Sequence, residues 1–239
     1  MDWFSYLVAG IMVYVAVAVF ILGMTYQVYQ WLNAPKTTVR TGYFPKPKSA
    51  NGKWLKMGED SFIFPQVIRY DWSMWVFTIL FHFGLLGAFF GHLRLLHEFT
   101  PLVQALGPEG MDRFALWSGG IMGALLWIGV IYYFLRRLVH PYRELSLPED
   151  YFLLFLLFFA ILFGNQMRFL GDVHTADYRT YFQSLLAFQP AFPPSLASSS
   201  TRWVLVFHVL SANLILIFFP FSKLVHLIAT FPANLAKRV

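Results

Sequence analysis

Five stretches of this chain run for about twenty residues without Asp, Glu, Lys or Arg, and short charged stretches separate them. The charge-free cores cover residues 3–34, 72–93, 114–135, 151–167 and 203–222. Crossing a hydrocarbon core of about 30 Å takes about 20 apolar residues in a helix. The pattern therefore predicts an all-α integral membrane protein with spans at 3–34, 72–96, 114–135, 151–170 and 203–227. The runs are continuous rather than alternating, which excludes a β-barrel. The first is too long for a signal h-region and lacks a basic start, so it is expected to stay as a helix. No internal repeat divides the chain, and residues 1–239 are read as one membrane domain.

Composition agrees. Hydrophobic residues make up 58% of the 239 positions and charged residues only 13%, a balance foreign to a soluble domain of this size. There is no cysteine, so neither a disulfide nor a cysteine-held iron–sulfur cluster belongs to this chain. The net charge of +6 comes from residues flanking the spans, where basic side chains set orientation, and does not call for nucleic acid. With the N-terminus outside, thirteen Lys and Arg fall on the inner side: Lys36, Arg40, Lys46, Lys48, Lys53, Lys56, Arg69, Arg136, Arg137, Arg143, Lys223, Lys237 and Arg238. Five fall outside: Arg94, Arg113, Arg168, Arg179 and Arg202. That excess predicts an outer N-terminus and a cytoplasmic C-terminus.

Against this apolar background four histidines stand out. His82 and His92 lie in the second span, His208 and His226 in the fifth. Histidine is costly in a bilayer unless its ring nitrogens are satisfied, so it reads as functional there. Two on each of two helices suggest paired axial ligation of two haems b. The second and fifth spans run in opposite directions, which pairs His82 with His226 on the inner side and His92 with His208 on the outer side. The spacings are unequal. Ten residues on an ideal helix cover about 15 Å and eighteen about 27 Å; tilt, imidazole reach and a kink at Pro220 are the means of absorbing the difference. Gly84, Gly87 and Gly91 would let a porphyrin face approach the backbone.

Other readings bear on the same residues. One buried histidine is usually a helix-to-helix hydrogen bond. A zinc or di-iron site wants histidines and carboxylates at short helical spacings, and here the histidines span the bilayer. A haem-free proton-relay transporter would need intramembrane carboxylates or a repeat, and neither is present; a passive anchor for a soluble partner would not need the histidines. His97, His140 and His174 lie outside the spans and read as surface residues, although His97 or His174 can serve a proton path. The inner loop, residues 35–70, carries Pro35, Pro45, Pro47, Pro65 and many lysines, which suits either a tether to anionic lipid or a docking surface for a cytoplasmic partner. The outer stretch 173–188 suits a short surface helix ended by prolines. Gly119, Gly120 and Gly123 suit close helix packing.

The stretches FHFGLLGAFFGH (81–92) and FHVLSANLILIFFPFSKLVH (207–226), with RFALWSGG (113–120) and FLRRLVHP (134–141), resemble the cytochrome b (gamma) subunit family of membrane-bound respiratory nitrate reductase. The resemblance implies five spans, an outer N-terminus and two haems b between spans two and five. It carries His82 and His226 over as ligands of the inner haem iron, and His92 and His208 as ligands of the outer. GHLRLL (91–96), the stretch 164–190 and PFSKLVH (220–226) look more like the cytochrome b subunit of the membrane complex linked to dissimilatory sulfite reductase, and its heterodisulfide reductase relative. That implies a subunit of a respiratory oxidoreductase complex in a prokaryotic cytoplasmic membrane. It would pass electrons between a quinone, menaquinone or ubiquinone, and a cytoplasmic heterodisulfide-reductase-like iron–sulfur subunit. A true nitrate reductase gamma subunit is the alternative. Arg113, with His97, is then the candidate quinone site. Arg94, Arg136 and Arg137 are candidate propionate partners, each equally an interfacial anchor, as is Lys223.

Overall fold

A computed structural model describes residues 1–34, 49–171 and 174–236. The inner-loop positions Pro35, Lys36, Arg40, Pro45, Lys46, Pro47 and Lys48, and the terminal Lys237 and Arg238, lie outside the described residues. Ten helices account for the described fold: α1 Trp3–Leu32, α2 Ala50–Phe62, α3 Pro65–Tyr70, α4 Trp72–His92, α5 Thr100–Arg136, α6 Pro148–Phe169, α7 Thr175–Leu186, α8 Pro194–Ser198, α9 Arg202–Phe218 and α10 His226–Ala236. Five of these, α1, α4, α5, α6 and α9, are long and apolar enough to cross a membrane when the 3₁₀ turns closing α4 and α9 are included. The chain is a multi-pass membrane protein.

Charged and special residues move the element boundaries. α5 starts at Thr100, fourteen residues before the apolar run, because Glu109, Asp112 and Arg113 interrupt hydropathy without interrupting helix. A kink at Gly107 (φ 70°, ψ 169°) precedes Pro108, which opens the main rod where its missing N–H costs nothing. α6 starts at Pro148, with Glu149 and Asp150 in its first turn, where negative charge suits the helix dipole.

The fifth span breaks. Pro220 cannot donate to Leu216 four residues back, and α9 ends at Phe218. Two 3₁₀ turns follow, Phe219–Phe221 and Lys223–Val225, and between them Ser222 is extended (φ −123°, ψ 178°). The chain thus leaves the α9 axis, and His226 heads a separate helix. α1 braces the break: Gln27 Nε2 donates to the Pro220 carbonyl at 2.7 Å. A Cβ on Gly23 would sit 2.7 Å from the proline ring, so only glycine allows this approach.

Packing runs round the bundle as α4 on α5, α5 on α6, α6 on α9 and α9 on α1. Small residues carry the close contacts. A Cβ on Gly84 would meet the Met122 carbonyl at 2.9 Å, and one on Gly87 the Met122 sulfur at 2.4 Å. Those two glycines therefore seat α4 on α5 and do not face a macrocycle, whereas a Cβ on Gly91 would meet nothing within 4 Å. Gly120 and Gly123 of α5 lie against Phe169 and Asn165 of α6, as close packing requires.

At the end opposite Arg136, α7 folds back over the bundle. Tyr181 and Leu185 join Ala9, Leu196 and Leu205 in a buried cluster. Tyr181 Oη donates to the Ala9 carbonyl at 2.6 Å and Asn213 Nδ2 to the Val8 carbonyl at 2.9 Å. Residues Leu7–Ile11 adopt a π turn, and these two carbonyls sit inside it, bonded to side chains; a π-bulge at such an insertion is the expected response of the ladder.

At the Arg136 end, Asp71 caps α4. Its carboxylate accepts from Met74 N at 2.9 Å, Ser73 Oγ at 2.8 Å and Arg136 Nη2 at 2.8 Å. The Met74 N–H first, then the Arg136 and Ser73 donors, hold its pKa at about 2 against an ordinary 3.8. A depressed carboxylate contributes stability above its unfolded pKa and loses it as pH falls through the folded one. The thermal midpoint in detergent of Asp71→Asn is thus expected to lie below wild type at pH 5 and to converge on it between about pH 4 and about pH 2. A gap that stays constant over that range overturns the assignment.

Candidate functional site

The four candidate ligand histidines meet in the two pairs expected from antiparallel spans, although His226 lies just past the end of the fifth span. The rings of His92 and His208 have centroids 6.2 Å apart and planes 9° from parallel. Those of His82 and His226 have centroids 6.3 Å apart and planes 74° apart. The unequal spacings are reconciled by the break at Pro220: because residues 219–225 are not α-helix, the eighteen-residue separation is not an axial rise. α4 and α9 are not among the helix pairs that pack round the bundle; His92 of α4 meets His208 of α9, and His82 of α4 meets His226 of α10.

One hydrogen-bond pattern is shared by all four rings. Nδ1 lies 2.8 Å from the Thr78 carbonyl in His82, 2.7 Å from Ala88 in His92, 2.8 Å from Ala160 in His208 and 2.6 Å from Lys223 in His226. A carbonyl only accepts, so each Nδ1 carries the hydrogen and each neutral ring keeps the Nε2 lone pair. That tautomer is the one a metal-ligating histidine needs, fixed by a carbonyl behind it. For His82 and His92 the acceptor is the residue four back on the same helix. For His208 it belongs to α6, where a Cβ on Gly164 would stand 3.3 Å from the imidazole.

These donors fit haem. Two imidazoles bound through Nε2 to one metal at about 2.0 Å each have ring centres on the order of 6 Å apart, which is the separation in both pairs. Among the described residues no three His, Cys, Asp or Glu side chains cluster as a compact metal site would require.

Around the His82–His226 pair the neighbours are aromatic and polar. Phe64, whose backbone is left-handed at φ 53°, places its ring 5.3 Å from His82, and Phe81 lies 5.5 Å away. A bulky residue with positive φ is strained and persists only where packing holds it. Tyr133 Oη donates to Thr78 Oγ1 at 2.9 Å, bracing the residue that orients His82.

The arginines are already engaged. Arg136 pairs with Asp71 at 2.8 Å and lies 3.3 Å over the Tyr142 ring. Arg137 reaches Asp150 at 3.1 Å and Ser146 at 3.0 Å. Arg94 pairs with Glu98 and, at 3.5 Å, with Asp112, and Arg179 joins through Glu98 and the Arg94 carbonyl. His97 and Arg113 are exposed at that same end; His97 N donates to the Leu93 carbonyl at 3.1 Å, and among the described residues neither side chain makes an ion pair. Sequence reasoning missed Tyr133 with Thr78, and Asp150 with Glu149. Their partners lie 55 to 74 residues away, so no local spacing announces them.

Comparison with known proteins identifies the family. Residues 66–238 match the family described as nitrate reductase gamma subunit. The chain is 27% identical over 246 residues to the Hdr-like menaquinol oxidoreductase cytochrome b-like subunit of Archaeoglobus fulgidus, which covers 89% of this chain and 74% of that protein. The protein of the same name from Archaeoglobus profundus is 27% identical over 250 residues, covering 89% and 73%. The nitrate reductase gamma chain of Bacillus subtilis is 31% identical over 157 residues, covering 62% and 69%. The chain belongs to the nitrate reductase gamma subunit family.

Proposed function

We propose that this chain is the di-haem cytochrome b subunit of a respiratory oxidoreductase complex in a prokaryotic cytoplasmic membrane. It passes electrons between a quinone pool and an iron–sulfur subunit docked at the Arg136, Arg137 and Lys223 end. The observation that carries the reading is the shared Nδ1–H···O=C bond, which leaves the Nε2 lone pair free on each of four rings that sit in two pairs with centroids 6.2 and 6.3 Å apart. His82 and His226 would hold the inner haem, and His92 and His208 the outer. Haem would supply a one-electron couple, and two imidazoles held on each iron would leave no place for substrate there.

The chain's own residues do the rest. The four carbonyls fix ring direction and tautomer. Arg94, Arg136 and Arg137 are engaged by carboxylates, but a guanidinium has five donors, enough to serve Glu98, Asp71 or Asp150 and a propionate together. Arg113 and His97, exposed at the outer end, are the candidate quinone contacts: Arg113 to donate to a quinone oxygen, His97 to take a proton. The excess of Lys and Arg at the other end supports the N-out orientation.

The names of the Archaeoglobus relatives, Hdr-like menaquinol oxidoreductase subunits, support menaquinol as donor; the resemblance read from the sequence adds a heterodisulfide-reductase-like iron–sulfur partner and dissimilatory sulfur metabolism as the setting. The Bacillus subtilis relative favours a second reading, a nitrate reductase gamma subunit, over a shorter part of the chain. A pyridine haemochrome assay on the purified complex is expected to return two haems b for each copy of this chain. A preparation free of haem overturns the proposal and returns the histidines to proton relay; co-purifying subunits decide between the two oxidoreductase readings.

A further inference from the structure

Of the four carbonyls that aim the histidines, only that of Lys223 belongs to a residue outside any α-helix. It lies in a seven-residue break, where a single 3₁₀ turn with the His226 N–H donating to it, and not an α-helical ladder, sets its direction. Lys223 is nevertheless held at both of its other polar groups. Its ammonium meets Asp150 Oδ1 at 2.6 Å and its backbone N–H meets Glu149 Oε1 at 3.3 Å. These are consecutive residues in the first turn of α6. Asp150 is 3% exposed; its other oxygen accepts from Leu147 N at 3.0 Å and forms an ion pair with Arg137 Nη1 at 3.1 Å. A buried carboxylate held by three partners in this way is fixed in place, while the Lys223 ammonium that reaches it stays more than half exposed.

We infer that Asp150 is a positioning residue for the inner haem: through Lys223 it fixes the carbonyl that orients His226, and with it the inner ligand pair. The inference rests on the haem reading above. Asp150 touches no haem ligand itself. It acts by tying the break after α9 to the start of α6, so that His226 Nδ1 finds its acceptor at 2.6 Å. The outer pair has no such tie, since His92 and His208 are anchored to carbonyls within α4 and α6. The effect is therefore confined to one of the two sites.

The test uses the whole complex and the low-spin ferric resonances of the oxidised protein, with the inner signal assigned as the one lost in His226→Ala. Lys223→Met and Asp150→Asn are expected to shift or abolish the inner signal and lower inner haem retention roughly 10- to 100-fold, as loss of outer-shell support does at metal sites. The outer signal remains and reports a folded bundle. Lys223→Arg, which keeps a cation within reach of Asp150, is expected to restore the wild-type inner signal. An unchanged inner signal in both variants overturns the inference, and so does parallel loss of both signals, which would make Asp150 a support of the fold as a whole. Wild type without haem would instead sink the functional reading.

Discussion

His208→Ala is expected, on the proposed function, to remove the outer haem and leave the inner one. His208 is the ligand whose surroundings are supplied most completely by other helices: its Nδ1 donates to Ala160 of α6 at 2.8 Å, and its ring packs against Gly164. Alanine deletes one of two imidazoles, and His92 alone offers a single axial donor. On the proposed function, half the haem content is lost, and quinol-driven reduction of the inner site falls to background because electrons enter at the outer end. Haemochrome stoichiometry and stopped-flow reduction by a menaquinol analogue measure the two effects. Two haems per chain with normal reduction kinetics refute the pairing. The fold itself is expected to persist, since an imidazole-to-methyl change in a bundle of this size removes one contact surface of α9 among several.

On the proposed function, straightening the fifth span is expected to remove the inner haem and leave the outer one. Replacing Phe219, Pro220, Phe221 and Ser222 with four alanines takes away the proline and the extended serine that end α9 and supplies strong helix formers instead. On a continuous helix His226 lies about 27 Å from His208, against about 15 Å between His82 and His92. The mismatch of about 12 Å is too large for an imidazole to span. One haem per chain is expected, with the outer spectrum intact. Retention of both shows that the break does not position His226.

Much of this architecture is legible in the chain alone, because a bilayer imposes a single strong rule on apolar run length. The five spans follow from it, and the antiparallel order pairs the histidines without further information. What sequence left unsaid lies where that rule is silent. The start of α5 at Thr100 escaped because polar residues continue a helix as well as apolar ones. The roles of Gly84 and Gly87 turned on which face of α4 meets Met122, and spacing along one helix does not reveal its neighbour. Pro220 signalled a kink, but the extended Ser222 and the second helix from His226 depend on Gly23 and Gln27 of α1, nearly two hundred residues earlier. The clamp on Lys223 is of the same kind. Lys223 and Asp150 are ordinary flanking charges until the fold brings them within 2.6 Å.

The origin of each histidine's anchor separates the two halves of either centre in time. His82 and His92 take their aim from carbonyls one turn back, so α4 presents both rings correctly as soon as it is helical. His208 waits for α6, and His226 waits for the turn that Glu149 and Asp150 secure. One jaw is set during insertion of a single hairpin, and the opposing jaw only when the last hairpin has closed, which makes the chain's final third the step that commits the protein to a cofactor-ready form.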